Sequence, residues 1–198
     1  MMTDNSNGTA DSPGLSGNGG RRYPDAYVRY LVHFHAERDY FECHEVLEEY
    51  WKEHPGDADG EAYVGLIQLA VSLYHQRRGN LAGAVKMLSG AIRRLGSGAA
   101  AELGIAEVEL QRLMGARLVE LGDPAAFVYA DLDIPLADQA LLRACEETSG
   151  ASWERWGQPS DLSDRYLIHK HTLRDRSGVV EERERQRKQR QEKRGEGA

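Results

Sequence analysis

A histidine and a glutamate one helical turn apart have the clearest capacity for chemistry in this sequence. His44 and Glu48 lie within residues 40–51, where a stripe recurs at spacings of four, three and four, formed by Tyr40, His44, Leu47 and Trp51. That spacing predicts one face of an α-helix, with Glu48 one turn beyond His44 on the same side. A histidine and a carboxylate that face a core cost several kcal/mol unless they bind each other, a third side chain or a metal ion.

A second segment repeats this pattern of polar groups among aliphatic ones. Residues from about 61 to 78 are apolar over most of a helical circumference, which predicts a central helix. One stripe on it is formed by Tyr63, Ile67, Ala70 and Tyr74, and the neighbouring stripe by Val64, Gln68, Val71 and His75. The sequence therefore predicts a polar site between the second and third helices, formed by His44, Glu48, Gln68 and His75.

These residue types are suited to binding a metal ion. Residues four apart on a helix have Cβ atoms about 5–6 Å apart, so His44 and Glu48 can share one ion. His75 or Gln68 would complete three protein ligands and leave a position for water, as in catalytic zinc or iron sites. Glu45 is then a candidate catalytic base, as in the His-Glu-x-x-His zinc enzymes. This hypothesis predicts a divalent metal ion (zinc, iron or manganese) and metal-assisted hydrolysis.

The same residues also allow a structural interpretation. The pattern here is His-Glu-x-x-Glu, without the second histidine of the zinc enzymes. His44 and Glu48 would form a hydrogen-bonded pair, and Gln68 and His75 would satisfy the remaining polar atoms. The protein would then be a helical scaffold or protein-interaction module with an exposed apolar groove or a dimer face. Trp51 is predicted to pack in the core and not to bind a substrate.

The elements that must position these residues all have helical periodicity. Residues 1–22 are predicted to be a disordered segment and residues 23–122 the main helical domain. Residues 123–168 are predicted to be an extension packed on this domain, and residues 169–198 a charged tail that is a frayed helix or disordered. Gly79 and Asn80 between two apolar helices predict a tight hairpin. The fold class is therefore all-α, a bundle of five to six helices in antiparallel hairpins.

Charge and cysteine content narrow the function classes. Residues 1–168 contain 15 Lys and Arg against 26 Asp and Glu, whereas residues 169–198 contain 10 against 6. The acidic region 1–168 disfavours nucleic-acid binding, which depends on contacts between basic side chains and phosphates.

Cys43 and Cys145 follow no metal or disulfide spacing, which predicts reduced thiols. No apolar run approaches the roughly 18 residues that span a bilayer, so we expect a cytoplasmic protein with no membrane partner. A protein partner and an oligomer are compatible with the sequence.

The other histidines carry no predicted function. His33 and His35 are two residues apart and point in different directions on a helix, and His54 lies beside a proline in a loop. His169 and His171 flank Lys170, where the run of charge predicts a solvated basic segment.

Three blocks of the sequence resemble the bacterial and archaeal family called domain of unknown function 309. The blocks are Phe41-Glu-Cys-His-Glu-Val-Leu-Glu-Glu-Tyr-Trp51, Gly65-Leu-Ile-Gln-Leu-Ala70 and His75-Gln-Arg-Arg-Gly-Asn80. The family signature, His followed by three residues, Glu, two more and then Trp or Tyr, is met by His44, Glu48 and Trp51. The resemblance implies a compact α-helical domain whose His and Glu have been suspected of binding metal, without an established activity. His35 stands where this pattern leads us to expect asparagine.

Overall fold

The computed structural model describes residues 23–173, so the predictions for residues 1–22 and 174–198 lie outside the described residues. The α-helices in this range are α1 (Asp25–Val32), α2 (Tyr40–Glu53), α3 (Gly60–Arg77), α4 (Leu81–Arg94), α5 (Ala99–Glu102), α6 (Glu107–Glu120), α7 (Gln139–Ser149) and α8 (Arg165–Leu173). A π-helical turn, His33–Glu37, follows α1, and a 3-10 helix, Gly150–Arg155, follows α7. The all-α class is confirmed. This range contains more helices than the five to six expected, because the short helices α5 and α8 add to the number.

Extended structure is almost absent from residues 23–173. Ile105 and Leu136 form one isolated antiparallel bridge, which joins the start of α6 to the segment before α7. Among the helices described, none has both the length and the apolar composition needed to cross a membrane.

Capping side chains mark the starts of α2 and α4. The Asp39 side chain accepts a hydrogen bond from the Glu42 backbone N–H (3.1 Å) at the start of α2. Asn80 caps α4 in the same way through the Gly83 N–H, at 3.1 Å. Gly79 before it has a φ of +71°, a left-handed conformation that favours glycine. The turn therefore closes the predicted hairpin of α3 and α4.

Helix α3 is the central helix, because α2 packs on one side of it and α4 on another. Gly90 of α4 lets α3 and α4 lie close together, because a Cβ atom at this position would overlap the Gln68 side-chain oxygen. The core also contains tyrosines of α1 whose hydroxyl groups find backbone partners. Tyr27 donates to the Leu103 carbonyl at 2.8 Å and Tyr30 to the Leu66 carbonyl at 2.7 Å. These bonds allow the large aromatic rings to be buried without leaving unpaired polar atoms.

A buried ion pair joins the helical domain to the segment after α6. The Arg77 side chain at the end of α3 has no solvent exposure, and its Nη2 lies 3.3 Å from Asp131 Oδ1. Its guanidinium lies 4.0 Å from the centre of the Tyr40 ring and donates to the Arg38 carbonyl at 2.7 Å. Ser160 completes the group by donating its backbone N–H and its hydroxyl to Asp131. Residues 131 and 160 are thereby held against α2 and α3.

The carboxylate of Asp131 stays ionised in this setting. Burial by itself would raise the pKa of Asp131. Hydrogen bonds from Ser160 and Tyr129, together with the charge of Arg77, outweigh burial and hold that pKa well below its ordinary value.

Helix α8 changes the prediction for the start of the charged tail. The predicted boundary at residue 169 falls inside α8, and Lys170 is buried instead of solvated. Its Nζ binds Asp39 Oδ2 at 2.5 Å and Glu42 Oε1 at 2.8 Å, and the neighbouring His171 contacts the Tyr74 hydroxyl at 2.9 Å. The prediction of a solvated segment is wrong here because both acidic partners lie about 130 residues earlier in the chain.

Replacing Arg77 by Met should lower the free energy of unfolding by about 3–5 kcal/mol, because Asp131 would remain buried without its charge partner. Urea unfolding of the full chain measures this loss. Arg93→Met, at an exposed position of α4, should change stability by no more than about 0.5 kcal/mol. Equal losses in the two variants would contradict a stabilising role for the ion pair.

Candidate functional site

His44, Glu45 and Glu48 meet on the outer side of α2. His44 Nδ1 lies 3.0 Å from Glu45 Oε1, and His44 Nε2 lies 3.5 Å from Glu48 Oε2. Lys52, one turn further on, places its Nζ 3.1 Å from the other oxygen of Glu48. One potential ligand atom from each of His44, Glu45 and Glu48 lies within 4.8 Å of the other two. We call these three residues the α2 cluster.

The α2 cluster is half-exposed, which corrects the prediction that His44 and Glu48 face the core. Their side chains are 30% and 33% exposed. The buried stripe of α2 consists of Tyr40, Cys43 and Leu47. His44 follows Cys43 by one residue, about 100° around the helix, so spacing from Tyr40 allows either residue to face inward. Burying a small thiol costs less than burying an imidazole, and Cys43 takes the inner position.

Gln68 and His75 do not join the α2 cluster. The Gln68 side-chain oxygen accepts a hydrogen bond from Arg94 Nη1 of α4, at 3.2 Å. His75 Nδ1 lies 3.1 Å from the Asn80 side-chain nitrogen, at the turn between α3 and α4. Both residues belong to the stripe of α3 that is directed away from α2.

The aromatic stripe of α3 faces α2 instead. Tyr63 packs edge-on against Tyr50 with ring centres 5.6 Å apart, and Tyr74 packs against Phe41 at 6.2 Å. Burying these rings removes more apolar area from water than burying Gln68 and His75 would. This difference explains why the predicted polar site between the two helices does not form.

Trp51 lies at the edge of the domain and does not enter the core. Its side chain is 37% exposed, and its indole nitrogen lies 3.5 Å from the position that a Cβ atom would take at Gly60. The prediction of core packing is therefore wrong for Trp51. The indole ring instead covers the start of α3.

A groove between α1 and α2 runs along the α2 cluster. It has a volume of about 490 Å³, and its lining includes Arg29 and His33 together with Glu45, Glu48, Glu49 and Lys52. His33 Nδ1 lies 2.7 Å from Glu37 Oε2 across the π-helical turn. No role is predicted for Arg29 or His33 from the sequence, because no periodic pattern links residues of α1 to residues of α2.

A second group of titratable residues lies where the π-helical turn meets the C-terminal segment. His35 is 2% exposed, and its ring stacks on Trp156 with centres 4.4 Å apart. Its Nδ1 lies 3.4 Å from Asp133, which Arg38 also binds at 2.8 Å. Among the described residues, His35 Nε2 has no hydrogen-bond partner. Burial lowers the pKa of His35, and this effect outweighs the opposing hydrogen bond and charge of Asp133.

The two cysteines are free thiols, as predicted, and both are buried. The Cys43 thiol lies 3.5 Å from the Tyr30 carbonyl, and burial raises its pKa well above the ordinary value. Burial likewise raises the pKa of Cys145 to about 12. Neither thiol is available as a thiolate ligand or nucleophile near neutral pH.

The family model described as Domain of unknown function (DUF309) matches residues 27–87. The Uncharacterized protein YpuF of Bacillus subtilis (strain 168) is 46% identical over 166 residues, which are 83% of this chain and 94% of that protein. The chain belongs to the DUF309 family. No solved structure matches it. The DUF309 match includes every groove residue named above, whereas Asp131 and Asp133 lie outside it.

Replacing His44 by Ala should lower the free energy of unfolding by less than about 1 kcal/mol, because half-exposed ion pairs contribute little. Urea unfolding without added metal is the measurement. A loss of about 3 kcal/mol or more would instead indicate the desolvated pair that the sequence led us to expect.

His35 should make stability depend on pH. Its pKa in the folded protein is below the ordinary value of 6.5. The free energy of unfolding should therefore be highest above pH 6.5 and decrease as the pH falls below it, since the unfolded chain then binds the proton more readily. The free energies of unfolding measured with denaturant at pH 7.5 and at pH 5.5 should differ less in His35→Gln than in the wild type. The exposed His169→Gln should retain the wild-type difference, and an unchanged difference in His35→Gln would exclude this role.

Proposed function

We propose that this DUF309 protein binds a divalent metal ion through His44, Glu45 and Glu48. The observation that carries the proposal is the convergence of one ligand atom from each residue within 4.8 Å. An imidazole nitrogen with two carboxylate oxygens is a donor set suited to zinc, iron or manganese. His75 and Gln68, which the sequence suggested as the third ligand, are replaced in this proposal by Glu45.

The exposure of the α2 cluster supports a particular kind of metal site. Structural zinc sites have four protein ligands and are closed to water, whereas catalytic sites keep an open position. Three ligands on a half-exposed helical face leave room for water and for a bound ligand. The core of the domain is formed without these side chains, so we expect the metal-free protein to remain folded.

Metal-assisted hydrolysis is the reaction class that fits this proposal. A divalent ion held by the α2 cluster would polarise a carbonyl or phosphoryl oxygen as a Lewis acid. Glu45 then acts as a ligand and not as the base that the sequence suggested. Glu49 lines the same groove outside the α2 cluster. We propose that it acts as the general base and accepts a proton from the attacking water.

A helical interaction module is the second candidate function. The polar atoms of the α2 cluster already have partners without an ion, since His44 contacts both glutamates and Lys52 binds Glu48. Val108 and Val119 of α6 are exposed and lie on one side of that helix, where a protein partner could bind. For either function we propose a cytoplasmic setting, because Cys43 and Cys145 are unpaired thiols.

Elemental analysis of the untagged full chain, dialysed without chelator, tests the metal proposal. We expect close to one zinc, iron or manganese ion per chain in the wild type and its loss in Glu48→Gln, which lacks one carboxylate ligand. Glu49→Gln removes the same charge from the neighbouring position and should retain the metal. Titration of the metal-free proteins should show an affinity at least about tenfold lower in Glu48→Gln.

Two results would contradict metal binding by the α2 cluster. One is a folded wild-type protein that takes up no metal in either measurement. The other is equal loss of metal in Glu48→Gln and Glu49→Gln, which would indicate a general effect of negative charge. The exposed face of α6 would then be the first surface to test for a partner.

A further inference from the structure

The groove beside the α2 cluster has a cationic residue on its opposite wall. Arg29 of α1 is exposed and lines the groove. Within residues 23–173, Arg29 has no ion-pair partner. Its planar guanidinium is therefore available to a bound anion, and its forked geometry suits phosphate and carboxylate groups.

His33 adds a directed hydrogen-bonding group to the same wall. It lies four residues after Arg29, so both side chains share one face of the helix. Glu37 holds His33 Nδ1 at 2.7 Å, which fixes the ring and leaves Nε2 as the nitrogen that can contact a ligand. The π-helical turn that begins at His33 makes this contact between His33 and Glu37. Such turns are frequent at functional sites.

Without a metal ion the groove is unfavourable for an anion. Its α2 wall contributes the carboxylates of Glu42, Glu45, Glu48 and Glu49. Four carboxylates therefore line this wall with a single lysine, Lys52, which binds Glu48 at 3.1 Å, while Lys170 binds Glu42 at 2.8 Å from outside the lining. A phosphate entering this groove would meet like charge at close range.

A bound divalent ion reverses this balance. Its two positive charges offset those of Glu45 and Glu48, whereas Lys170 offsets Glu42 only in part because it also binds Asp39. Lys52, whose partner Glu48 would bind the ion, joins Arg29 as a cation facing the groove. Glu49, and the part of the Glu42 charge that Lys170 does not offset, then remain to oppose them. The loaded groove should therefore attract an anion that the empty groove repels.

We propose that the groove binds the oxyanion group of a small molecule, a phosphate or a carboxylate, between the metal ion and the wall formed by Arg29 and His33. This proposal rests on the metal site proposed above and names the ligand class for it. The volume of about 490 Å³ is within the range of small-molecule sites. Metal and oxyanion then bind cooperatively, and each raises the affinity of the protein for the other by the same factor.

Calorimetric titration of the full chain with phenylphosphonate tests the proposal, in the metal-free form and in the form loaded with zinc. We expect at least about tenfold tighter phenylphosphonate binding to the loaded form. Arg29→Ala should weaken that binding about tenfold and leave zinc affinity without phosphonate unchanged or slightly higher. Arg93→Ala removes the same charge from an exposed position on α4 and should bind as the wild type does. Benzoate, titrated in parallel, decides between phosphate and carboxylate by which probe binds more tightly.

The possible failures are separable because zinc binding is measured in the same samples. If zinc binds but the phosphonate and benzoate affinities are the same with and without zinc, this inference is overturned and the metal site stands. Equal affinities in Arg29→Ala and Arg93→Ala would also overturn it. Absence of zinc binding, with no iron or manganese taken up either, would overturn the metal site and, with it, the metal dependence proposed here. Arg29 is exposed, so Arg29→Ala should fold normally, and circular dichroism checks this.

Discussion

The Arg77 side chain carries a positive charge with no exposure to solvent, and much of the fold follows from how that charge is satisfied. Asp131 neutralises it, Tyr40 stacks against it, and the Arg38 carbonyl accepts one of its hydrogen bonds. The end of α3, the start of α2 and the segment after α6 must therefore meet at one point. A buried ion pair adds little net stability compared with apolar packing, but breaking it leaves a costly unpaired charge. Because separating Asp131 from Arg77 is so costly, the ion pair fixes the position of the C-terminal segment.

The polar groups of the protein fall into two physically different sets. Those around Arg77 and Asp131 are buried and bind each other, which leaves little hydrogen-bonding capacity for a ligand. The α2 cluster is half-exposed, and two of its residues, Glu45 and Glu48, line the groove between α1 and α2. A set of partly solvated donors on a rigid helix can exchange its present contacts for a metal ion at small cost.

Local interactions account for the parts of the fold that the sequence predicts well. Asp39 and Asn80 bind N–H groups three residues ahead of them, and Gly79 takes a backbone conformation that few other residues adopt. These effects act within one turn of the chain, so the sequence alone locates the helix starts and the α3–α4 hairpin. Apolar periodicity likewise identifies α3 as central. The pairing of His44 with Glu48 is local as well, because residues four apart on a helix are neighbours.

By itself, then, the sequence determined the all-α class, the capped helix starts and the contact between His44 and Glu48. Tertiary structure decided which way each helix faces: Cys43 turned inward in place of His44, and the aromatic stripe of α3 met α2 in place of Gln68 and His75. It also brought Arg29 and His33 to the groove, and Lys170 to Asp39. The physical reason is that helical spacing fixes relative directions within one helix, whereas the rotation of each helix depends on the apolar area buried against its neighbours.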